Sequence, residues 1–396
     1  MSTPCRVEGH RARGLALALA AAAALGLGGC SGFSWNPLRW FDPAPTQVPA
    51  PLPPITGQAA VSTLWQASVG DARGAAFAPA VAAGSVFAAG GNGTVARFDE
   101  RSGRELWRTD VASPLSGGVG SDGRLVVVGT TEGEVIALEA GGELRWRARV
   151  SSEVLAPPEV AGDLVVVRSA DSRVFGLEAR DGRRRWAYQR QTPSLAVRSP
   201  AGISVSSGFV FAGFPGGKLV ALAQSNGGLR WEGTVSLPRG TTELERMSDV
   251  TGNPWVGDRV ACAVAHQGRA ACFDLANGVL LWAREMSSSV GLAVDGRAVY
   301  VSEDRGAVSA LAASSGTSLW RQDKLQHRRL TAPLPLEREL AVGDVEGYVH
   351  LLARDTGAFV GRLATDGSPI RSAPVPIAGG FLVQTSRGGL FAYGQK

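Results

Sequence analysis

Between residues 85 and 393 the chain repeats one order of apolar and polar positions. Each copy opens on a run of small and β-branched apolar residues, Val126-Val127-Val128 in one of them, and passes through a Gly-bearing turn. A short segment follows that ends in a small residue or Leu and then Leu or Phe, as in Ala137-Leu138, Gly176-Leu177, Ala221-Leu222, Cys272-Phe273, Ala310-Leu311 and Leu351-Leu352. A second polar turn then leads to a segment carrying Trp. Apolar and polar positions exchanging every second residue predict half-buried strands. The turns EGE, GGK, HQGR and RGA put Gly where a tight hairpin often needs positive φ. ERSG, ARDG, LANG and RDTG serve the next hairpin, with Asp, Asn or Ser bonding nearby backbone.

Aligned on tryptophan, the copies place Trp65, Trp107, Trp146, Trp186, Trp231, Trp282 and Trp320 in one slot, with Val360 of FVGRLA taking it in the remaining copy. The interval is about forty residues, the period of a four-stranded propeller blade. One such sheet cannot bury both faces, so the copies must stack, and radial stacking gives an all-β, eight-bladed β-propeller of antiparallel blades. The tryptophan then reads as a flat wedge between neighbouring blades, and Val360 in its place predicts one weaker seam. Residues 381–393 (FLVQTSRGGLFAY) supply the early strands of a unit without its tryptophan strand, whereas Thr63-Leu64-Trp65-Gln66 is a tryptophan strand without its unit. Pairing of these N- and C-terminal strands closes the ring and removes edges that would template aggregation.

Composition agrees with this class: 52 glycines against only 3 methionines suit a turn-rich β-protein better than a helical one. The N-terminus is different. Arg6, Arg11 and Arg13 precede the apolar run Leu15 to Leu27, which marks residues 1–29 as an export signal. That run is too short for a permanent transmembrane helix. It ends in Leu27-Gly28-Gly29-Cys30, small residues before a cysteine as in bacterial lipoprotein signals, so Cys30 is expected to be lipidated and to begin the mature chain. Ser31 stands where retention signals for the inner membrane carry Asp, which points to the outer membrane, with the protein facing the periplasm. Residues 30–58 read as a linker whose prolines at 37, 43, 45, 49, 51, 53 and 54 favour extended conformations. The propeller is expected to fill residues 59–396. Loss of residues 1–29 removes three Arg and one Glu and lowers the formal charge from +5 to +3. No basic stripe carries interleaved aromatics, so nucleic acid is not an expected partner.

Loop lengths point to where binding resides. From the apolar marker to the tryptophan the copies span 20 to 22 residues, for example Val126 to Trp146 and Val260 to Trp282. The return to the next marker is 17 to 19 residues after Trp107, Trp146 and Trp282, but 24 after Trp186 and 29 after Trp231. Two successive connections are thus lengthened, and successive connections lie side by side on one propeller face. Loops on a rigid scaffold commonly carry function. The first holds TPSLAVRSP, with Leu195, Val197 and the fixed-charge fork of Arg198; the second holds SLPRGTTELERMSDVTGN, with Glu243, Glu245, Arg246 and Asp249. Two readings stay open: the apolar residues staple the loops down, or they dock a partner.

The G-x-V-x-A-L-D…G-x-x-x-W grammar is similar to the repeat of quinoprotein dehydrogenases. Together with the lipoprotein signal, the proline-rich linker and eight units, it resembles the BamB family, lipoproteins of the outer-membrane β-barrel assembly machinery (the BAM complex). TPSLAVR (192–198), TELERMSDV (242–250) and GDVEGYVH (343–350) carry the more specific part of the likeness. The resemblance implies a non-catalytic scaffold that binds the POTRA domains of BamA and assists folding and insertion of nascent β-barrel proteins. It implies BamA contacts at Leu195, Val197, Arg198 and Asp249, while a further acidic contact position falls on Thr251. The competing readings are a quinone-dependent oxidoreductase and a scaffold of the same shape for another client.

Little supports catalysis. His10 lies in the export signal, and His266, His327 and His350 are too scattered to form a histidine-rich metal cluster. A quinoprotein enzyme is expected to add an adjacent cysteine pair, a calcium site and extra sequence around the cofactor, and no cofactor is expected here. Cys262 and Cys272 sit symmetrically about Gln267 in CAVAHQGRAAC, which allows either a cross-strand disulfide or two buried thiols, because a one-residue slip would part them.

Overall fold

The computed structural model describes residues 48–394 other than 56, 58, 192 and 194. The export signal, Cys30 and the first part of the linker lie outside the described residues. The strands form eight antiparallel sheets of four, with 80–110, 115–149, 159–188, 203–234, 250–286, 292–322 and 334–364 making blades 1 to 7. Blade 8 takes three strands from 375–394 and its fourth from Ser62–Ser68. That strand pairs antiparallel with Gly389–Gly394, setting Trp65 opposite Ala392, so the two ends of the chain close the ring as the sequence predicts.

First strands of successive blades pack around the centre, and fourth strands face outward. This arrangement explains one departure from the expected alternation. The second strand Leu125–Thr130 is buried at all six positions, because a blade is covered on both sides by its neighbours. Continuous Val and Ala runs belong to such strands. Alternation survives only outside, as in Leu144–Arg149, where Trp146 is buried between exposed neighbours.

The tryptophans make the seams. Each of the seven indoles donates its N–H to a backbone carbonyl of the next blade at 2.7–2.9 Å. Each also lies on a glycine of that blade's last hairpin. A Cβ on Gly103, Gly142, Gly182, Gly227, Gly278, Gly316 or Gly357 would stand 2.4–2.9 Å from the ring of Trp65, Trp107, Trp146, Trp186, Trp231, Trp282 or Trp320 respectively. These glycines have φ of 67° to 97°, so one residue serves both the turn and the close approach. In HQGR the left-handed position is taken by Gln267 (φ 49°) and not by the glycine beside it.

Val360 does not occupy the tryptophan slot. Trp320 pairs with Ala310 and follows a bulged Leu319; in blade 7 Gly361 pairs with Leu351 and Val360 is the bulged residue. The slot therefore holds Gly361. A Cβ there would meet Ala59 at 3.0 Å, which shows that the seam is filled from outside by the segment leading into the first strand.

Candidate functional site

The connections between blades and the hairpins joining second to third strands lie on one face, because each such hairpin bonds the preceding connection. Ala170 N–H donates to Glu153 O, His266 N–H to Asp249 O, and Asp304 N–H to Ser287 O, at 2.7–2.9 Å. On this loop face the two lengthened connections, 189–202 and 235–249, meet beside blade 4.

Asp249 ties them together. Its carboxylate accepts the N–H of Val197 at 2.5 Å and the N–H of Gly216, in a hairpin of blade 4, at 3.2 Å. It is only 4 % exposed, so it braces the site from within. Above it, Leu195 is 46 % exposed and Val197 half-buried. Arg198 extends outward, its Nη2 donating to both carboxylate oxygens of Glu153 at 2.7 and 2.9 Å while its side chain remains 71 % exposed. Val197, Arg198, Asp249 and Thr251 line a pocket of roughly 230 Å³ that also includes Leu155 and Arg168.

Thr251 turns inward. It is 1 % exposed and donates its hydroxyl to Ser288 O at 2.6 Å, which pins blade 5 to the segment entering blade 6. Glu245 also serves its own loop: it accepts the N–H groups of Thr241 and Thr242, which hold its carboxyl below the usual range. The exposed apolar residues of that loop are Leu237 and Leu244.

Sequence reasoning missed Glu153, Leu155 and Arg168, which blade 3 and the connection before it contribute. Arg168 had a signal, since it ends the apolar strand LVVVR at a position where five other blades have Ala89, Gly129, Gly213, Ser302 or Gly343 and none has a charge. Its Nη1 donates to Ala201 O at 3.2 Å and its guanidinium carbon lies 5.3 Å from the Phe214 ring centre. Desolvation draws this guanidinium down to about 10, with the Asp249 charge opposing the fall.

The remaining candidates do not line this pocket. Cys262 and Cys272 are opposite one another in blade 5, Cα atoms 4.1 Å apart, and are joined by a disulfide buried in the blade core. His266 pairs with Asp304, and His350 is buried against Asp344 in blade 7. Among the described residues no group of three or more His, Cys, Asp or Glu is placed to hold a metal ion.

Fold and site together define an eight-bladed propeller of quinoprotein-type repeats with a loop-built pocket on one face. The family model described as outer membrane protein assembly factor BamB matches residues 91–322. The chain belongs to the BamB family. It is 44 % identical over 365 residues to the outer membrane protein assembly factor BamB of Bordetella pertussis, covering 92 % of this chain and 93 % of that one. Among solved structures it is similar to BamB from Moraxella catarrhalis, with a TM-score of 0.78, 29 % identity, and coverage of 84 % of this chain and 99 % of that one. Quinohemoprotein alcohol dehydrogenase from Comamonas testosteroni shares the fold alone, at 14 % identity and a TM-score of 0.69, covering 84 % of this chain and 76 % of that one.

Proposed function

We propose that this chain is a non-catalytic scaffold of outer-membrane protein assembly. It is anchored through a lipid on Cys30, faces the periplasm, docks the POTRA domains of BamA within the BAM complex, and assists folding and insertion of nascent β-barrel proteins. One observation carries the reading: the two lengthened loops meet at Asp249, which fixes Val197 while Leu195 and Arg198 stand exposed. An apolar anchor beside a rigid guanidinium fork suits a protein surface bearing a carboxylate. Asp249 and Thr251 contribute from below as braces. Outward-facing fourth strands offer a second surface, where nascent strands add by backbone hydrogen bonding.

Binding of the mature protein to purified POTRA domains, wild type against Arg198→Glu, tests the reading. Loss of binding in a variant with unchanged melting supports it, and no binding by folded wild type overturns it. Reconstitution with a quinone cofactor should yield no dye-linked dehydrogenase activity; turnover would restore the oxidoreductase reading.

A further inference from the structure

Seven seams of the ring close by an indole lying on a hairpin glycine of the next blade, and the seam from blade 7 to blade 8 does not. Blade 8 draws its third strand, Gly389–Gly394, from one end of the chain and its fourth, Ser62–Ser68, from the other, so no hairpin joins them. The platform a tryptophan at position 361 would need is missing. The segment leading into strand Ser62–Ser68 lies there instead. Ala59 donates its N–H to Val360 O at 2.8 Å, and Ala59 and Val61 pack onto the cluster that contains Leu351, Phe381 and Tyr393.

The contact continues along the outer edge of blade 7. Arg362 donates to Pro53 O at 2.6 Å, and Pro53 is buried. Arg328 donates to Ala50 O at 2.7 Å, while Ala50 returns its N–H to Gln326 O at 2.9 Å. Arg328 is itself 1 % exposed and pairs with Asp344 at 2.7 Å and with Glu346. Asp344 in turn binds His350 at 2.8 Å and the N–H groups of Glu346 and Tyr348 at 2.9 Å. A buried charge is tolerable only when paired and fully bonded, and here the carboxylates neutralise the guanidinium while one remaining N–H reaches a peptide carbonyl. Such a grip suits extended, proline-bearing chain, whose carbonyls are free of internal hydrogen bonds and whose conformation is set in advance.

We propose that the outer flank of blade 7 is a groove for extended, proline-bearing peptide, that its occupant is this chain's own segment 48–61, and that this strap serves as the eighth wedge of the ring. Ala50 lies beside the connection between blades 6 and 7, at the loop face, whereas Ala59 lies near the opposite end of strand Phe359–Ala364. The strap thus runs down the blade, with Ala50 on the face that carries loops 189–202 and 235–249. The inference stands whether or not those loops bind BamA.

Hydrogen exchange on the full mature chain tests the wedge. The amides of Ala50 and Ala59 should be protected, and Arg362→Ala should speed exchange across 48–59 by about tenfold or more while blades 1 to 4 are unchanged. Exchange of wild-type 48–59 at the rate of unstructured chain would overturn the proposal. Spin labels test the direction. A label at position 48 should give a single narrow distance to one at exposed position 305, on the loop face, and a longer one to exposed position 315, in the opposite hairpin. Equal or broad distances to both would sink the strap.

Discussion

Asp249 accepts the backbone N–H of Val197, 52 residues earlier in the chain, and through it one carboxylate fixes the relation between two loops. Asp249→Ala leaves the N–H groups of Val197 and Gly216 without their acceptor and removes the negative charge nearest the desolvated Arg168. The expected loss of stability is about 1–3 kcal/mol. Exchange across 195–201 should rise and POTRA binding weaken, although the removed side chain is not itself exposed. A denaturant titration paired with exchange measurements checks this. An unchanged loop with weakened binding would make Asp249 a direct contact.

Arg198 should behave in the opposite way. Its pair with Glu153 is solvent-exposed on the arginine side, and such pairs contribute roughly 0–1 kcal/mol. Arg198→Ala should therefore leave the denaturation midpoint nearly unmoved while POTRA affinity falls. If Glu153 positions the fork, Glu153→Gln will produce a smaller loss of affinity, read by the same titration.

The tryptophan seams allow a cleaner separation of backbone strain from packing. Gly278 and Gly367 have similar φ, 72° and 78°, but a Cβ on Gly278 would stand 2.7 Å from the Trp231 ring while one on Gly367 meets nothing within 4 Å. Gly367→Ala should cost roughly 1–2 kcal/mol, the penalty of the left-handed region alone. Gly278→Ala must in addition displace an indole that donates to Leu275 O at 2.9 Å, adding about 1–3 kcal/mol. Equal losses on urea unfolding would show that the ring moves aside freely.

The strands, the radial stacking and the closure between Trp65 and Ala392 were legible because they rest on local patterns: turn residues, apolar runs and a spaced tryptophan. The eighth seam was not. An apolar Val360 looks like a substitute for tryptophan, yet the tryptophans from Trp107 to Trp320 each stand four residues after a hairpin glycine and directly after a bulged residue, and the same count from Gly357 puts Val360 on the bulge and Gly361 in the slot. What fills the slot comes from residues hundreds of positions away. The site divides in the same way. Loop length marked Leu195, Val197 and Arg198, whereas Arg168 lines the pocket from blade 3 and Glu153 reaches Arg198 from the connection before that blade, and the inward turn of Asp249 and Thr251 depends on acceptors and donors that no spacing reveals.

His266 and Asp304 join blades 5 and 6 beside the second long loop, with Nδ1 and carboxylate 2.8 Å apart. The Asp304 hydrogen bond raises the imidazole above its ordinary 6.5, burial opposes this, and the charges of Asp304 and Asp249 add to it. Burial works against ionisation of Asp304, but hydrogen bonds from His266, Ser287 and Ser289 outweigh it and bring the carboxyl down to about 2. A raised histidine contributes stability fully below 6.5 and loses it as pH rises through the folded value; the lowered carboxyl contributes above 3.8 and loses it only as pH falls toward about 2. The pair is therefore strongest in mildly acidic solution. His350 runs the other way, since burial lowers it and its contribution fades as pH falls below 6.5. Melting curves of wild type and His266→Gln across this range separate the two. The difference between them should be largest at mildly acidic pH and shrink above neutrality. Because His266 N–H also donates to Asp249 O at 2.8 Å, exchange across 235–249 should follow the same pH course. A difference that stays constant with pH would mean that the His266 imidazole titrates alike in the folded and unfolded chain, so that its pairing with Asp304 contributes no charge-dependent stability.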